Sequence, residues 1–402
     1  MIHIIPTEKF TTNIICVLAR RKLDKKDVTS TALLPPLLAR GSEKYPTVQS
    51  IRQAAEAMQG GVFDAQIVKK GEQQILQFFL EYVDGDLTFK KQGLEFLREI
   101  ILRPYTEHLK EEGFYAPYVK GESENLENRI KGRINNISEY ARLKCLEIMC
   151  EGEPFGIYGD GYAEDLPAIT SEGLFKHYKE VCATSPVDFI ALGKWDKAWL
   201  DEQVAKFGLL SGSSLEKEKL YPARANREIV KINHGTTQGN LCIGLRGQIS
   251  PVGMDFIHLQ LASEILGGGP NAKLFSNIRE AKSLCYSIFS TIYRFKSLMC
   301  VVAGTEPDKM EKVMELAELE IDAMKNGDFS ETDLHSAKQS LINRWRTMQD
   351  NPSACVDFYA SQFLLGDTNT LDEMLDMVGV ATKEGVSRVM AGLDIDTVVM
   401  MQ

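Results

Sequence analysis

The side chains best able to bind a metal or act as general bases in this 402-residue chain are its six histidines. They are His3, His108, His177, His234, His258 and His335. Two histidines that share a catalytic zinc on a helix lie one turn apart, so that both converge on the same ion. No two histidines have that spacing here, and the pattern favours surface or core roles for each of them.

The eight cysteines are also scattered singly, mostly within apolar patterns. They are Cys16, Cys145, Cys150, Cys182, Cys242, Cys285, Cys300 and Cys355. Because no Cys-x-x-Cys pair occurs, a zinc ribbon or a disulfide framework is not indicated. Isolated buried thiols are typical of a reducing compartment.

Charge and hydropathy exclude several classes of function. The net charge is −10, and the basic residues are interspersed with acidic ones. Nucleic-acid binding needs a clustered basic surface, so we expect no nucleic-acid partner. No apolar run is long enough to span a membrane, and the start lacks a basic region followed by an apolar one. These features predict a cytoplasmic protein without membrane contact.

The most informative helix lies near the start of the chain. An apolar pattern predicts a helix that begins near Thr29 or Ser30 and ends at Gly41. A second helix is expected between Thr47 and the pair Gly60-Gly61. Pro35 and Pro36 lie inside the first helix, and because proline removes helix hydrogen bonds we expect it to kink or restart at Pro35.

The remaining elements of the first half alternate between strands and helices. We predict strands over 13–20, 62–70, 73–83 and 187–192, and helices over 87–102, 121–150 and 170–182. A polar, irregular stretch over 209–226, which includes Ser211-Gly212-Ser213-Ser214, is the best linker candidate.

The second half repeats the order of the first. We predict strands over 240–246, 284–290, 298–303 and 397–400, and helices over 254–266, 273–280, 308–325, 331–349, 353–365 and 383–391. A recurring order of elements at half the chain length indicates duplication. The predicted fold is α+β, with two similar halves, 1–208 and 227–402, each a mostly antiparallel sheet covered by helices.

The first helix resembles the zinc helix of the pitrilysin/insulinase superfamily of metallopeptidases, in which His-x-x-Glu-His is followed by apolar residues and Gly-Ser or Gly-Thr. With Gly41-Ser42 aligned, the two histidine positions fall on Ala32 and Pro36, and the general-base position falls on Pro35. The family's third zinc ligand, a glutamate on a later helix, aligns with Arg129, seven residues after Glu122. None of these side chains can bind zinc. The resemblance therefore implies a degenerate site with no metal or other cofactor.

Further short matches extend the resemblance over nearly the whole chain. They are Gly60-Gly61-Val62-Phe63-Asp64-Ala65, Pro154-Phe155-Gly156 with Gly159, Leu266-Gly267-Gly268-Gly269-Pro270, and Ile278-Arg279-Glu280 with Leu284-Cys285-Tyr286-Ser287. The family comparison implies that Arg279 and Tyr286 reach a bound peptide and donate hydrogen bonds to a carbonyl or oxyanion.

The other residues implied to contact substrate are Asp64 and Ala65 on an edge strand and the loop Gly267, Gly268 and Gly269. Structural explanations stand beside these roles. Arg279 could pair with an acidic neighbour, Tyr286 could be a strand core residue, and the three glycines could simply end a helix.

Zinc-free members of the superfamily typically pair with an active sibling. The first hypothesis is therefore a non-catalytic, substrate-binding subunit of a heterodimeric zinc peptidase, similar to bacterial and mitochondrial processing peptidases. Its partners would be a family member that carries His-x-x-Glu-His and a peptide substrate. A second hypothesis is a homodimeric peptide-binding or assembly protein with no proteolytic role. A third, an active peptidase with another ligand set, is disfavoured by the isolated histidines.

Overall fold

The computed structural model of the chain describes residues 1–106, 112–210, 218–235 and 238–402. Two compact units share these residues. Unit 1 comprises Met1–Gly132, Ile157–Glu216 and Asn351–Ser361, and unit 2 comprises Arg133–Gly156, Lys217–Asp350 and Gln362–Gln402. His108 and the predicted Ser211–Ser214 run lie outside the described residues.

Unit 1 is built on a five-stranded sheet with the order β1-β5-β2-β4-β3. Its strands are β1 (Ile2–Ile5), β2 (Thr12–Lys22), β3 (Val62–Lys70), β4 (Gln73–Val83) and β5 (Val187–Leu192). β1 pairs with β5 in parallel, and the other neighbours are antiparallel. The tight β3–β4 connection contains Gly71, whose positive φ of 57° favours glycine. β3 forms one edge of the sheet.

Six α-helices lie wholly within the described residues of unit 1. They are α1 (Val28–Leu38), α2 (Val48–Glu56), α3 (Leu87–Leu102), α4 (Ala116–Lys131), α6 (Ser171–Thr184) and α7 (Lys197–Ala205). α1 packs against β3, β4, α4 and α6, and its leucines belong to the main apolar core of the unit. It is one continuous helix that includes Pro35 and Pro36, so the expected restart at Pro35 does not occur.

Unit 2 repeats the strand order of unit 1, as β6-β10-β7-β9-β8. Its strands are β6 (Glu228–Ile232), β7 (Gly239–Gly247), β8 (Cys285–Tyr293), β9 (Leu298–Thr305) and β10 (Leu393–Met401). β10 pairs with β6 in parallel, and the remaining pairs are antiparallel. The predicted α+β fold with two similar halves is thereby confirmed.

The helices of unit 2 are α5 (Ile137–Met149), α8 (Gly253–Gly267), α9 (Met310–Lys325), α10 (Glu331–Met348), α12 (Leu371–Val380) and α13 (Lys383–Ala391). α5 packs against β7, β9 and β10, and α8 packs against β8, α10 and α13. α11 (Pro352–Leu365) belongs to unit 1 as far as Ser361 and to unit 2 beyond it.

The predicted single helix over 121–150 is wrong. α4 ends at Lys131, a short 3-10 turn spans Gly132–Asn135, and α5 begins after Asn136, whose side chain accepts a hydrogen bond from the Glu139 amide. The predicted helix over 273–280 contains a π-helical turn at Phe275–Glu280. The sequence patterns missed β1, β6, α7 and α12. The predicted domain boundaries at 208 and 227 stay a prediction. Unit 2 includes α5 from the first half of the sequence, and unit 1 includes part of α11 from the second half.

Within the part of the chain that is described, no helix is both long and apolar enough to cross a membrane.

Candidate functional site

The degenerate zinc positions lie on a well-formed helix. Ala32 and Pro36 are one turn apart on α1, Pro35 lies beside Pro36, and Ala32 is fully buried. The backbone could therefore present two ligands on one face, but a methyl group and a pyrrolidine ring have no lone pair to offer. α1 acts as a core helix of unit 1.

The position that aligns with the third zinc ligand is occupied by Arg129, whose side chain pairs with a loop residue. Arg129 on α4 is half-exposed, and its Nε lies 3.6 Å from Oδ2 of Asp160. Glu122, about two turns earlier on α4, is buried and forms an ion pair with Arg40. Neither residue is free to contribute to a metal site.

The loop that holds Asp160 is fixed against α1 and the β3–β4 hairpin. Lys69 Nζ donates to the Ile157 carbonyl at 2.9 Å, and Gln74 Nε2 donates to the Gly159 carbonyl at 2.7 Å. Gly161 has a φ of +73°, and a Cβ there would lie 2.2 Å from Thr29 Oγ1. Gly161 therefore allows this loop to pack closely beside the degenerate helix.

The residues present do not fit the zinc ion that active relatives of such a fold would hold. Over the ranges that the structure describes, no three His, Cys, Asp or Glu side chains are grouped to bind a metal ion. Two thiols of unit 1 are not activated. Burial raises the pKa of Cys16 to about 12 and that of Cys182 to about 11, so both thiols are protonated near neutral pH.

The predicted edge-strand residues do lie on an edge. β3 is terminal in its sheet and pairs with β4 in the described part of the chain. Asp64 on β3 is exposed, whereas Ala65 is half-buried and packs towards the core of unit 1. An open strand edge presents backbone N–H and C=O groups to which another strand can bind.

The three glycines after α8 have different surroundings. α8 ends at Gly267, where a Cβ would lie 2.4 Å from the Ser290 backbone nitrogen on β8. At Gly268 it would lie 2.6 Å from Cα of Glu264, whereas Gly269 faces open space. Helix termination and close packing explain the first two glycines, and contact of this loop with substrate remains a prediction.

Arg279 lies in the π-helical turn, which packs against β8. Its guanidinium is 4.6 Å from the centre of the Phe275 ring. The side chain is exposed, and no carboxylate of the described chain forms an ion pair with it. The structure therefore does not support pairing with an acidic neighbour, and Arg279 keeps its donors available.

Tyr286 is an exposed residue of the edge strand β8, with 57% of its surface accessible. The register of β8 against β9 shifts between Cys285 and Ser287, so Tyr286 occupies a β-bulge. Its hydroxyl lies 3.4 Å from Oε1 of Glu306. The interpretation of Tyr286 as a strand core residue is wrong, because the bulge turns it outward.

Glu306 is the residue of this surface that the sequence patterns missed. It follows β9 and lies 2.9 Å from Nζ of Lys309. The hydrogen bond from Lys309 lowers the pKa of Glu306, which keeps the carboxylate ionised. The available signal was the prediction of consecutive strands over 284–290 and 298–303 in a mostly antiparallel sheet, which would bring the end of the second strand near Tyr286.

Comparisons with known proteins agree with this fold. Residues 168–341 match the family described as Peptidase M16 inactive domain. The Bacillus subtilis (strain 168) protein "Probable inactive metalloprotease YmfF" is 28% identical over 408 residues, which cover 98% of this chain and 94% of the relative.

Two solved structures show the same fold. A conserved protein from Enterococcus faecalis V583 has a TM-score of 0.91 at 24% identity and covers 100% of this chain and 96% of its own. A peptidase M16 inactive domain from Pseudomonas fluorescens has a TM-score of 0.83 at 18% identity and covers 100% of this chain and 95% of its own.

The duplicated sheet order and these matches define an M16 peptidase fold, the class to which the sequence resemblance pointed. The chain is similar to proteins described as inactive members of that class, and Ala32, Pro35, Pro36 and Arg129 stand at the positions that the resemblance aligns with the zinc ligands and the general base.

Proposed function

We propose that this chain is the non-catalytic, substrate-binding subunit of a heterodimeric zinc peptidase. Its partner would be an M16 family member that carries intact His-x-x-Glu-His. The observation that carries the proposal is the combination of a two-unit peptidase fold, a zinc helix without ligands and an exposed Arg279 that forms no ion pair with the described residues.

The relatives support the part of this proposal that concerns the lack of catalytic activity. The printed name of the Bacillus subtilis relative describes a probable inactive metalloprotease, and the match spans nearly the full length of both chains. A chain of this type contributes to proteolysis by holding peptide for a zinc that the partner supplies.

Peptide binding would use the open strand edges. An extended peptide can add to β3 or to β8 through backbone hydrogen bonds, which place few demands on its sequence. Arg279 beside β8 offers several N–H donors to a peptide carbonyl. Asp64 lies on the exposed side of β3, where it would meet the side chains of an added strand.

The location proposed is the cytoplasm. All eight cysteines are free thiols, and seven of them are buried. Such thiols are typical of a reducing environment.

The test is turnover by the assembled pair. Arg279→Ala should slow peptide hydrolysis by roughly tenfold or more if a charge-assisted hydrogen bond to substrate is lost, without dissociating the subunits. Arg346→Ala is the matched control, because Arg346 is an exposed arginine on α10. Unchanged turnover in Arg279→Ala would count against a substrate-binding role.

A further inference from the structure

Three buried cysteines of unit 2 meet on one face of its sheet. Cys242 lies on β7, Cys300 lies on β9, and Cys145 lies on α5, which packs on both strands. All three are free thiols of the same apolar cluster, and each is 0% exposed. They come from distant parts of the sequence, so residue spacing gives no sign of this thiol cluster.

Strand register places Cys145 beside Cys300. Gly244 on β7 lies directly opposite Cys300 on β9 and opposite Thr397 on β10. A Cβ at Gly244 would lie 2.9 Å from Sγ of Cys145, and that sulfur lies 3.6 Å from the Thr397 carbonyl oxygen. Opposite residues of antiparallel strands have Cβ atoms about 4.5–5.5 Å apart on the same face. The Cys145 sulfur therefore stands over Gly244, next to the side chain of Cys300.

The third thiol is further from this point. Cys242 lies two residues from Gly244 along β7, a distance of about 6–7 Å at the usual rise of a strand. Cys300 is therefore the nearer partner for a bond to the Cys145 sulfur.

The absence of a side chain at Gly244 makes this approach possible. A Cβ at that position would also lie 3.0 Å from Sδ of Met149 on α5. The φ angle of Gly244 is not positive, so glycine is needed here for space and not for backbone conformation. Gly244 thus lets α5 lie close to the sheet.

Cys300 is the thiol best suited to react first. When Cys300 is ionised, hydrogen bonds from the S–H groups of Cys145 and Cys242 hold the charge, which lowers the pKa of Cys300 despite burial. Burial raises the pKa of Cys242, so that thiol keeps its proton near neutral pH. The thiolate is the form of cysteine that reacts with peroxides.

We propose that Cys145 and Cys300 form a reversible disulfide in response to a hydroperoxide, and that this bond fastens α5 to the sheet of unit 2. With hydrogen peroxide, the Cys300 thiolate takes one oxygen atom and the O–O bond breaks. The products are a sulfenic acid and a hydroxide, which takes back from solvent the proton that Cys300 had lost.

The second step forms the disulfide. The Cys145 sulfur attacks the sulfenic sulfur, and the hydroxyl group leaves with the Cys145 proton as water. In total, two thiols are oxidised to one disulfide while one hydrogen peroxide is reduced to two waters. A small thiol reverses the change by exchange and becomes a disulfide itself.

The place of α5 in the chain gives this bond its effect. α5 comes from the first half of the sequence and β9 from the second, so the bond closes a loop of roughly 150 residues. A link across such a loop removes conformational freedom from the unfolded chain. Oxidation should therefore strengthen the attachment of α5 to unit 2, and reduction should return it to apolar packing alone.

The experiment maps disulfides in the full chain. Reduced protein is exposed to hydrogen peroxide, which is hardly larger than water, then blocked with N-ethylmaleimide in denaturant, digested without reduction and analysed by mass spectrometry. Cys145→Ala, Cys300→Ala and Cys242→Ala are treated in the same way. Cys16→Ala is the matched control, because Cys16 is a buried thiol on β2 of unit 1.

The wild type, Cys242→Ala and Cys16→Ala should each give a peptide pair linked through Cys145 and Cys300, which dithiothreitol separates. Oxidation should raise the midpoint of thermal unfolding of these three proteins by roughly 5 °C or more. It should not raise the midpoint of Cys145→Ala or Cys300→Ala.

Three results would overturn the inference. They are recovery of Cys145 and Cys300 as maleimide adducts after oxidation, a bond from Cys145 to Cys242, and a sulfinic acid at Cys300 in place of the disulfide. Mapping of the wild type decides among them, so the test does not depend on whether a variant folds. It is also independent of the proposed function, because it requires neither a partner nor a peptide.

Discussion

Arg129 and Asp160 form an ion pair, with 3.6 Å between Nε and Oδ2, at the position where active relatives are expected to hold a zinc ligand. The pair joins α4 to the loop over 157–161. Arg129→Glu would place two carboxylates in contact, so the loop should exchange its amide hydrogens faster and the free energy of unfolding should fall by up to about 1 kcal/mol, since both groups are partly exposed. Arg129→Lys, which keeps the charge, is the control. Equal exchange in both variants would show that the pair does not hold the loop.

A buried histidine should make unit 2 sensitive to acid. His258 on α8 is only 7% exposed, and neither ring nitrogen has a hydrogen-bond partner in the described chain. Gly385 on α13 approaches so closely that a Cβ there would lie 2.2 Å from Nε2. Burial lowers the pKa of His258, assisted by Arg388 on α13 and Lys338 on α10 and opposed by Asp255 on α8.

The sign of the pH effect follows from that lowered pKa. As the pH decreases below about 6.5, the ordinary histidine pKa, the unfolded chain binds a proton that the folded chain resists. The free energy of unfolding should therefore fall by less than about 1.4 kcal/mol for each unit by which the pH decreases. His258→Leu should flatten urea-unfolding stability between pH 6.5 and about 5. Burial also lowers the pKa of His177, so part of the pH dependence of stability should remain in His258→Leu. His335→Gln at an exposed site is the control, and an unchanged slope in His258→Leu would refute the assignment.

Two buried tyrosines should respond oppositely to loss of the hydroxyl. The Tyr82 hydroxyl is buried without a hydrogen-bond partner in the described chain, whereas that of Tyr178 donates to the Ile101 carbonyl at 2.8 Å. Tyr82→Phe should raise the free energy of unfolding by about 1 kcal/mol, and Tyr178→Phe should lower it by about 1 kcal/mol. Urea denaturation distinguishes them. A loss in Tyr82→Phe as large as that in Tyr178→Phe would indicate that its hydroxyl is satisfied.

Division of the chain near the predicted linker should not yield two independent domains. Unit 1 includes Asn351–Ser361 from the second half of the sequence, and unit 2 includes Arg133–Gly156 from the first. Fragments 1–210 and 218–402 should therefore each lack a cooperative urea transition when expressed alone and regain it when co-expressed. A cooperative transition in either isolated fragment would contradict the exchange of segments.

The sequence predicted the local elements well where capping and turn residues agreed with apolar spacing. Thr47 caps α2 as expected, and Gly71 ends β3 before β4 begins. The prediction of a single helix over 121–150 failed because the apolar spacing of Leu126, Ile130 and Ile137 continues across the break between α4 and α5. Gly132 and Asn136 were available as signals for a helix end and a helix start.

The site could be predicted only in part. The absence of zinc ligands at Ala32, Pro36 and Arg129 is a matter of residue types and is visible in the sequence. The pairing of Tyr286 with Glu306 depends on a β-bulge and on strand register, which no residue pattern specifies. The exchange of α5 and part of α11 is likewise set by tertiary packing, which local propensity does not encode.

The central claim is that this chain works with a zinc-bearing sibling. The most direct measurement is gentle affinity purification of the chain from its native cell, followed by mass spectrometry of proteins that co-elute stoichiometrically. The account predicts a partner of similar size with intact His-x-x-Glu-His, and peptide hydrolysis by the pair that a zinc chelator abolishes. Recovery of the chain with itself alone, or with an unrelated protein, would contradict the account and favour a peptide-binding or assembly protein without a proteolytic role.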